Sequence, residues 1–579
     1  MFRKRLQNLD FIFLFLLLVS CLVELHSQVF PYSAITRKLD YAYVYAYPFV
    51  DVAILLSICS LFCLFRRRAT FILSFILVLL WYVLNVAYSR LFNQYFPLHA
   101  LGEYKNLDFT LICDYITVIT KVNDILVFVY IILFLGIIFL SRKHEPNKLS
   151  TKVMMLLPII ACLTIKFLVS PIVDYIKYRI QPDFGFSINY SMNPFSKELL
   201  NQYCYDRECA IASHGIFRTQ FGCELLLSTD GIQLGEDRIQ KIDNFIKQDV
   251  SFNSNEKTRK NIVFIIVESF LSIPSDMFVG GEAVTPVLNR IRRENGTLYN
   301  GNVVSNIAGG ESSDGQFIYF TGLLPLQSGV TIVQSLNKDF ISLPAIIKDS
   351  LEYSTCITIP TLDSFWHQRE MNVKYGIDSC VFNKNDHNMQ CDSVVFDMAI
   401  EAEKTIPQPF FHAILTASMH GAYSKLPHDV TPWNVNFPDS MSIKYQNYLI
   451  ECHYMDKHLG RYIEHLKEEG LYDNSIIVIV ADHEAHKDYL CMSMESLNNC
   501  YLPIYIINSG KEKESFVSEK CNQIDVFPTI LDIAGINSVW KGLGHSLVKK
   551  EFYSSEITQE TQEISTDIIM SNFFSLWDK

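Results

Sequence analysis

The chain has 579 residues, a hydrophobic content of 49% and a formal net charge of −12 at pH 7. That length accommodates more than one domain. The acidic balance, with no Lys or Arg stripe interleaved with aromatics in the polar part of the chain, excludes nucleic acid as the main partner.

The first third carries five apolar runs: Asp10 to Leu25, Pro48 to Phe65, Ala69 to Tyr88, Ile125 to Leu140 and Val153 to Ile172. Each is near the length that a bilayer span requires, so the spacing predicts a five-helix membrane domain over 1–172. The fourth run is the shortest and is also compatible with a re-entrant segment. The first run could also be read as a signal peptide, but it has no clear small-residue cleavage site and is followed by further runs. Arg3, Lys4 and Arg5 precede the first run, Arg66 to Arg68 separate the second from the third, and Arg142, Lys143, Lys148 and Lys152 separate the fourth from the fifth. Basic residues at span ends are retained on the cytoplasmic side. All three clusters meet that rule if the N-terminus is inside, which puts the chain after Ile172 outside a bacterial cytoplasmic membrane. Lys166 within the fifth run either lines a polar path or faces the bundle.

Residues 173–260 read as a juxtamembrane linker with short helices. Ten of the 15 Cys lie beyond Ile172, none in a CxxC or zinc-ligand array; pairing within Cys204, Cys209 and Cys223 and isolated buried thiols are equally compatible with the spacing. The pattern changes at Asn261. NIVFIIVES is a continuous apolar run ending in an acid, as a buried parallel strand requires, and similar runs follow at Ser354 to Pro360, Phe410 to Ser418, Ser475 to His483 and Tyr501 to Asn508. Between them lie helix-like stretches: PVLNRIRREN after Thr285, and a long one beginning at Tyr448 and ending at Gly470. The alternation predicts an α/β domain over 261–579 with a mainly parallel central sheet.

Ligands of open α/β sheets bind beyond the carboxyl ends of the strands. Glu268 closes the first predicted strand, Asp482 and His483 close another, and His420 follows a third. Carboxylates with an imidazole suit a divalent cation. In NIAGGESSDGQF, Asn306 to Phe317, glycines flank two hydroxyls just before a predicted helix. That pattern is either a plain helix cap or a nucleophilic hydroxyl activated by a helix N-terminus and a cation. His453, His458 and His465 read as surface or core packing on the long helix rather than as ligands, Asp525 as a cap of the following helix, and His545 as an outlying candidate for the neighbourhood of the site.

Taken in order, NIVFIIVES, TPVLNRI, NGTLYNG, GGESSDGQF, FWHQREMNVKYGID, ILTASMHGAY, GLYDNSIIVIVADHE and DVFPTILDIAGI resemble the lipoteichoic acid synthase (phosphoglycerol transferase) group of the sulfatase and alkaline phosphatase superfamily. The resemblance runs from Asn261 to Val548, and phosphoethanolamine transferases are more distant relatives. It implies an alkaline phosphatase/sulfatase-type fold, with Glu268, Asp482, His483 and Ser312 as ligands of one divalent ion, Mn²⁺ expected, with Mg²⁺ and Zn²⁺ as alternatives. It implies Ser312 as the catalytic nucleophile, where the family has Thr and where Ser313 is the neighbouring alternative. His420 falls on a catalytic and substrate-contacting histidine and Trp366 on a head-group aromatic. The family's Arg is matched by Gln368, with Arg369 one place later as the substrate-binding cation, and Ile359 stands where the family has a further His. The implied activity is transfer of a phosphoglycerol or phosphoethanolamine head group from a membrane phospholipid donor to a glycan or lipid acceptor through a covalent serine intermediate. The alternatives are an extracytoplasmic phosphodiesterase or sulfatase-like hydrolase, and a catalytically silent envelope protein. Sulfatases proper use a CxPxR-type motif, and the chain has none.

Overall fold

A computed structural model of the chain describes residues 234–246 and 257–576, apart from 328–329, 364, 385–390, 422, 428–429, 486–489 and 491–499, together with scattered positions (76, 80–81, 83–88, 96, 98, 132 and 220). The five predicted spans lie almost wholly outside the described residues, as do Lys166, Cys204, Cys209 and Cys223. Among the described residues no helix is long and apolar enough to cross a membrane.

Helix α1 (Glu236–Ile246) precedes strand β1 (Asn261–Val267), a small hairpin of β2 (Phe278–Val279) and β3 (Glu282–Ala283), helix α2 (Pro286–Ile291) and strand β4 (Thr297–Val304). Then come α3 (Ser312–Thr321), α4 (Thr331–Gln334), α5 (Leu343–Leu351), β5 (Ser354–Ile359), α6 (Gln368–Lys374), β6 (Ser379–Phe382), α7 (Asp392–Glu403) and β7 (Phe410–Leu415). The remainder is α8 (Ile443–Glu468), β8 (Ser475–Ala481), β9 (Leu502–Ile507), β10 (Cys521–Asn522), α9 (Val526–Ala534), α10 (Gln559–Ser571) and α11 (Phe573–Leu576).

Eight strands form one sheet in the order β10-β4-β9-β8-β1-β7-β5-β6. Its pairs are parallel except those made by β9, which runs antiparallel to both β4 and β8. The expectation of a mainly parallel sheet is met. The β9 run was legible as a strand but its direction was not, because an apolar run buried on both faces carries no sign of polarity. No residue of β1 is more than 2% exposed, and Ile266 pairs with Leu415 on one side while Val267 pairs with Ala481 on the other. That register brings the carboxyl ends of β1, β7 and β8 to one edge, so the residues that follow each strand must be neighbours.

Helix α3 packs across this central region. Phe264 of β1 meets Tyr319 and Phe320 at 5.7 and 6.4 Å between ring centroids, and Phe320 also meets Phe411 and Tyr375. Residues 313–321 are all buried, which explains why α3 has no polar stripe in its sequence. The long predicted helix is observed as α8. It ends with Gly470 at φ +67°, where Leu471 N returns to Leu466 O at 2.8 Å and Gly470 N to Lys467 O at 3.1 Å, an αL C-terminus that glycine favours. Helix α2 stops at Ile291, shorter than the sequence suggested. Its N-terminus is capped from outside, with Asp456 of α8 accepting from Val287 N and Leu288 N at 2.8 and 2.9 Å. Helix α1 pairs with α10 through Arg238 to Glu563 and Asp567 and through Lys241 to Glu560.

Candidate metal and nucleophile site

Glu268, Asp482 and His483 offer one ligand atom each within 4.8 Å of one another, and all three are buried. Their positions follow from the register of β1 and β8. Asp482 Oδ1 accepts from Ser269 N and His483 N, both at 2.7 Å, closing the two strand ends over each other. Glu268 N donates to Thr416 Oγ1 at 3.1 Å, which ties the third strand end to the same point.

Ser312 Oγ lies 3.0 Å from Glu268 Oε2 and 3.1 Å from His483 Nε2. The adjacent Ser313 Oγ donates instead to Gly310 O at 2.6 Å. Of the two hydroxyls, the one at 312 faces the cluster and the one at 313 closes its own turn. Asp314 shapes that turn, accepting through Oδ2 from Ala308 N at 3.0 Å and Gly310 N at 2.9 Å. Burial pushes the Asp314 carboxyl up to about 7 despite these bonds. Gly315 lets α3 approach the strand end: a Cβ there would lie 2.4 Å from Asp482 O. Gln523 Nε2 donates to the same carbonyl at 2.6 Å and Tyr319 OH to Ala481 O at 2.5 Å, so the end of β8 is held from three directions.

The protonation of the cluster is set by its charges. His483 Nδ1 lies 2.9 Å from Glu484 O; a carbonyl only accepts, so Nδ1 carries a hydrogen and Nε2 is the nitrogen that faces Glu268 and Ser312. Burial opposes ionisation of Glu268, but His483, the charge of His420 and the Ser269 hydroxyl outweigh it and hold this carboxylate well below its ordinary range. Burial and the neighbouring Glu268 charge push Asp482 up to about 8. Burial works against a charged His483, yet Asp482, Glu268 and Glu311 together raise it well above an ordinary imidazole. Two buried carboxylates side by side thus demand positive charge between them. Two oxygens, one imidazole nitrogen and an adjacent hydroxyl are a donor set that fits a divalent cation.

His420 follows β7 in the loop after Thr416. Its Nδ1 meets Gly421 O at 3.1 Å, which leaves Nε2 as the free nitrogen, and its charge acts on Glu268. Trp366 and His367 are half-buried with φ of 48° and 52°, both in the left-handed region. Arg369 is exposed. Its guanidinium makes 2.9 and 2.7 Å bonds to Asp363 Oδ2 and lies over the Phe382 ring at 5.2 Å, so its recorded partners are outside the cluster. Gln368 turns inward: Gln368 Nε2 donates to Gln316 Oε1, Gln316 Nε2 to Asn372 Oδ1, and Asn372 Nδ2 to Gln368 Oε1, each at 2.8–2.9 Å. The side chain that stands in the family's Arg position therefore joins α6 to α3. Sequence reasoning missed Glu311, whose Oε2 is 3.7 Å from His483 Nδ1. Its signal was its position one residue before Ser312.

Two secondary expectations change. Asp525 stands at the N-cap position of α9 but makes no side-chain bond to it; its carboxylate accepts from Asn522 N, His545 N and Tyr553 OH, completing a capping box on the preceding 3₁₀ turn. His545 lines a cavity of about 400 Å³ with Trp540, Lys549 and Ile246, whose lining includes none of Glu268, Asp482 and His483. His453 stacks on Trp433 at 4.3 Å and His458 is buried, as packing residues. Cys356, Cys380, Cys452 and Cys521 are free thiols.

A family model described as Sulfatase matches residues 260–536. The chain is 28% identical over 324 residues to lipoteichoic acid synthase 2 of Bacillus subtilis (strain 168), a match covering 52% of this chain and 49% of that protein, so it spans about half the length of that relative. It is 24% identical over 535 residues to a lipoteichoic acid synthase of Staphylococcus saprophyticus, covering 87% of this chain and 78% of that one. Among solved structures, the lipoteichoic acid synthase LtaP from Listeria monocytogenes is 19% identical with a TM-score of 0.47, covering 58% of this chain and 98% of that one. The residues matched by that family model carry the eight-stranded sheet and the Glu268, Asp482 and His483 cluster.

Proposed function

We propose that the chain is a membrane-anchored phosphotransferase that moves a phosphoglycerol or phosphoethanolamine head group from a phospholipid to a glycan or lipid acceptor. The observation that carries this reading is the position of Ser312 Oγ, within hydrogen-bond distance of both Glu268 and His483 at the N-terminus of α3. The names of the relatives, lipoteichoic acid synthases, support the class of reaction. The pattern of basic residues around five apolar runs supports an anchor in the cytoplasmic membrane with the catalytic domain outside, where the phosphates of lipid donors are at hand.

A divalent cation, with Mn²⁺ the first expectation and Mg²⁺ or Zn²⁺ the alternatives, would be held by Glu268, Asp482, His483 and Ser312 Oγ, and when bound it supplies neutralising charge for the phosphoryl oxygens and for the serine oxygen. Ser312 Oγ attacks phosphorus as the serine alkoxide, its proton having passed to water before the donor reacts, and it is released as the alkoxide in the second half. The Oγ–P bond forms as the bond from phosphorus to the diacylglycerol oxygen breaks, and His420 gives a proton to that oxygen. In the second half the acceptor hydroxyl attacks, its proton returns to His420, and the P–Oγ bond breaks to restore Ser312. Trp366 holds the head group, and Arg369 reaches it by leaving Asp363, an exposed pair whose loss costs roughly 0–1 kcal/mol.

The test is diacylglycerol release from vesicles carrying labelled phosphatidylglycerol or phosphatidylethanolamine. Release is expected to need a divalent ion and to fall by a factor on the order of 10³ or more in Ser312→Ala, because covalent catalysis is lost. Ser313→Ala, which deletes only the bond to Gly310 O, is expected to stay within about tenfold of the parent. Undiminished release by Ser312→Ala refutes the proposal. Rapid turnover of soluble phosphodiesters without lipid assigns the acceptor role to water and makes the chain a hydrolase.

A further inference from the structure

We propose that Asp392 is a positioning residue for His420, acting through the loop that follows β7; the inference rests on the transfer reading above. Asp392 is the first residue of α7 and is fully buried. Its Oδ1 accepts from Ala417 N at 2.8 Å and from Ser418 N at 2.9 Å, and its own backbone N donates to Ser418 Oγ at 2.9 Å. These three bonds join segments about 25 residues apart, and Ser418 is itself fully buried. The clamp leads directly to the histidine, because Ala417 O accepts from His420 N at 3.1 Å. On its other side the loop is fixed to β1: Thr416 N donates to Ile266 O at 3.0 Å, and Thr416 Oγ1 accepts from Glu268 N. Residues 416–418 are thus held between the strand that carries Glu268 and the N-terminus of α7, and His420 N is bonded back to this held segment at Ala417 O.

The second oxygen of Asp392, Oδ2, is buried without a partner, as is Oε2 of Glu451 on α8. Burial and the Asp392 charge push the Glu451 carboxyl well up, and burial pushes Asp392 to about 6. Only Oδ1 of Asp392 is engaged, so one accepting oxygen suffices at position 392. Asp392→Asn keeps an acceptor for the two N–H groups and is the conservative replacement; Asp392→Ala removes the acceptor altogether.

The experiment uses the full chain in vesicles of phosphatidylglycerol and phosphatidylethanolamine with Mn²⁺, reading diacylglycerol release as kcat and KM, with thermal unfolding measured in parallel. Asp392→Ala is expected to lower kcat roughly 10- to 100-fold with KM changed less than about threefold, since a misplaced group costs rate more than binding. Asp392→Asn is expected to recover most of that loss. Against a His420→Ala background the Asp392→Ala loss should vanish, because a positioning residue has nothing left to position. Should Asp392→Ala not fold, Ser418→Ala removes one of the three bonds and enters the same cycle with a smaller expected loss. Additive losses in the double variant, or a loss confined to KM, overturn the positioning role. Full activity of Ser312→Ala sinks the transfer reading instead, and full activity of His420→Ala with an inactive Ser312→Ala sinks the positioning role alone.

Discussion

Gly315→Ala is the sharpest probe of how the site is assembled. A Cβ at 315 would lie 2.4 Å from Asp482 O and 2.9 Å from Asp482 C and Cα, all backbone atoms that no side-chain rotation can move away. Ordinary contact between carbon and such atoms begins near 3.5 Å, so α3 and the end of β8 must separate by roughly 1 Å. Overpacking of a closed core costs roughly 1–3 kcal/mol, while Ala in place of Gly inside a helix returns roughly 1 kcal/mol. The net destabilisation is therefore modest, on the order of 0–2 kcal/mol. The effect on turnover is larger. Ser312 begins the helix that must move, and Asp482 ends the strand it moves from, so a 1 Å displacement acts on the distance between nucleophile and cluster and costs roughly 10²-fold in rate. The assay is diacylglycerol release together with Mn²⁺ titration by calorimetry and thermal unfolding. Rate near that of the parent, with unfolding unchanged, would refute the claim that close approach of α3 to β8 sets the site.

Two further expectations concern the surroundings. His412 of β7 is fully buried between Glu403 at 2.9 Å and Thr358 at 2.9 Å; burial disfavours its charge, but bonds to Cys356 and Glu403 and the Glu403 charge outweigh it and raise the imidazole to about 9. The folded state then binds this proton more tightly than the unfolded chain, so its contribution is full below about pH 6.5 and is lost as pH rises through about 9. At 1.36 kcal/mol per pH unit the loss is at most about 3 kcal/mol, read as a fall in the urea midpoint that His412→Gln abolishes; an unchanged slope in that variant refutes it. Arg369→Ala removes an exposed pair with Asp363 and a contact with the Phe382 ring, so it is expected to change stability by no more than about 1 kcal/mol while raising KM for lipid; an unchanged KM removes Arg369 from the head-group site.

The parts of the fold that were legible are those in which burial on both faces leaves a continuous apolar run. Strands β1, β7 and β8 announce themselves this way, and once they are neighbours in one parallel register the meeting of Glu268, Thr416 and Asp482 follows from geometry alone. The direction of β9 was not legible, nor was the end of α2, whose N-terminus depends on Asp456 more than 160 residues later. Asp525 misled for a related reason: an acid before a helix looks like its cap, yet its oxygens are taken by Asn522, His545 and Tyr553, two of which come from segments that sequence proximity does not connect. Gln368 is the most instructive case. A resemblance transfers positions, and this position holds an amide whose partners, Gln316 and Asn372, form a closed buried set. An amide there gives and receives within the scaffold, whereas a guanidinium has no acceptor atom to offer.

The backbone adds a second, independent mark of the same region. Among the described residues, eight non-glycine positions have positive φ. Glu352 and Asn572 end helices, where a left-handed residue is ordinary. Four others adjoin the candidate site residues: Ser269 follows Glu268, Glu311 precedes Ser312, and Trp366 and His367 are consecutive. Glu311, at φ 47° and ψ −123°, is not even in the αL well. Such conformations cost on the order of 1–3 kcal/mol each and persist only where the surroundings over-determine them. Here the surroundings are a strand with no residue more than 2% exposed and a helix buried along its length. The strain at Ser269 turns the chain so that its N–H reaches Asp482, and the strain at Glu311 starts α3 with the Ser312 hydroxyl against Glu268 and His483. A packed core and a strained rim are thus two halves of one arrangement, in which apolar burial that the sequence displays openly holds in place the local violations that it does not.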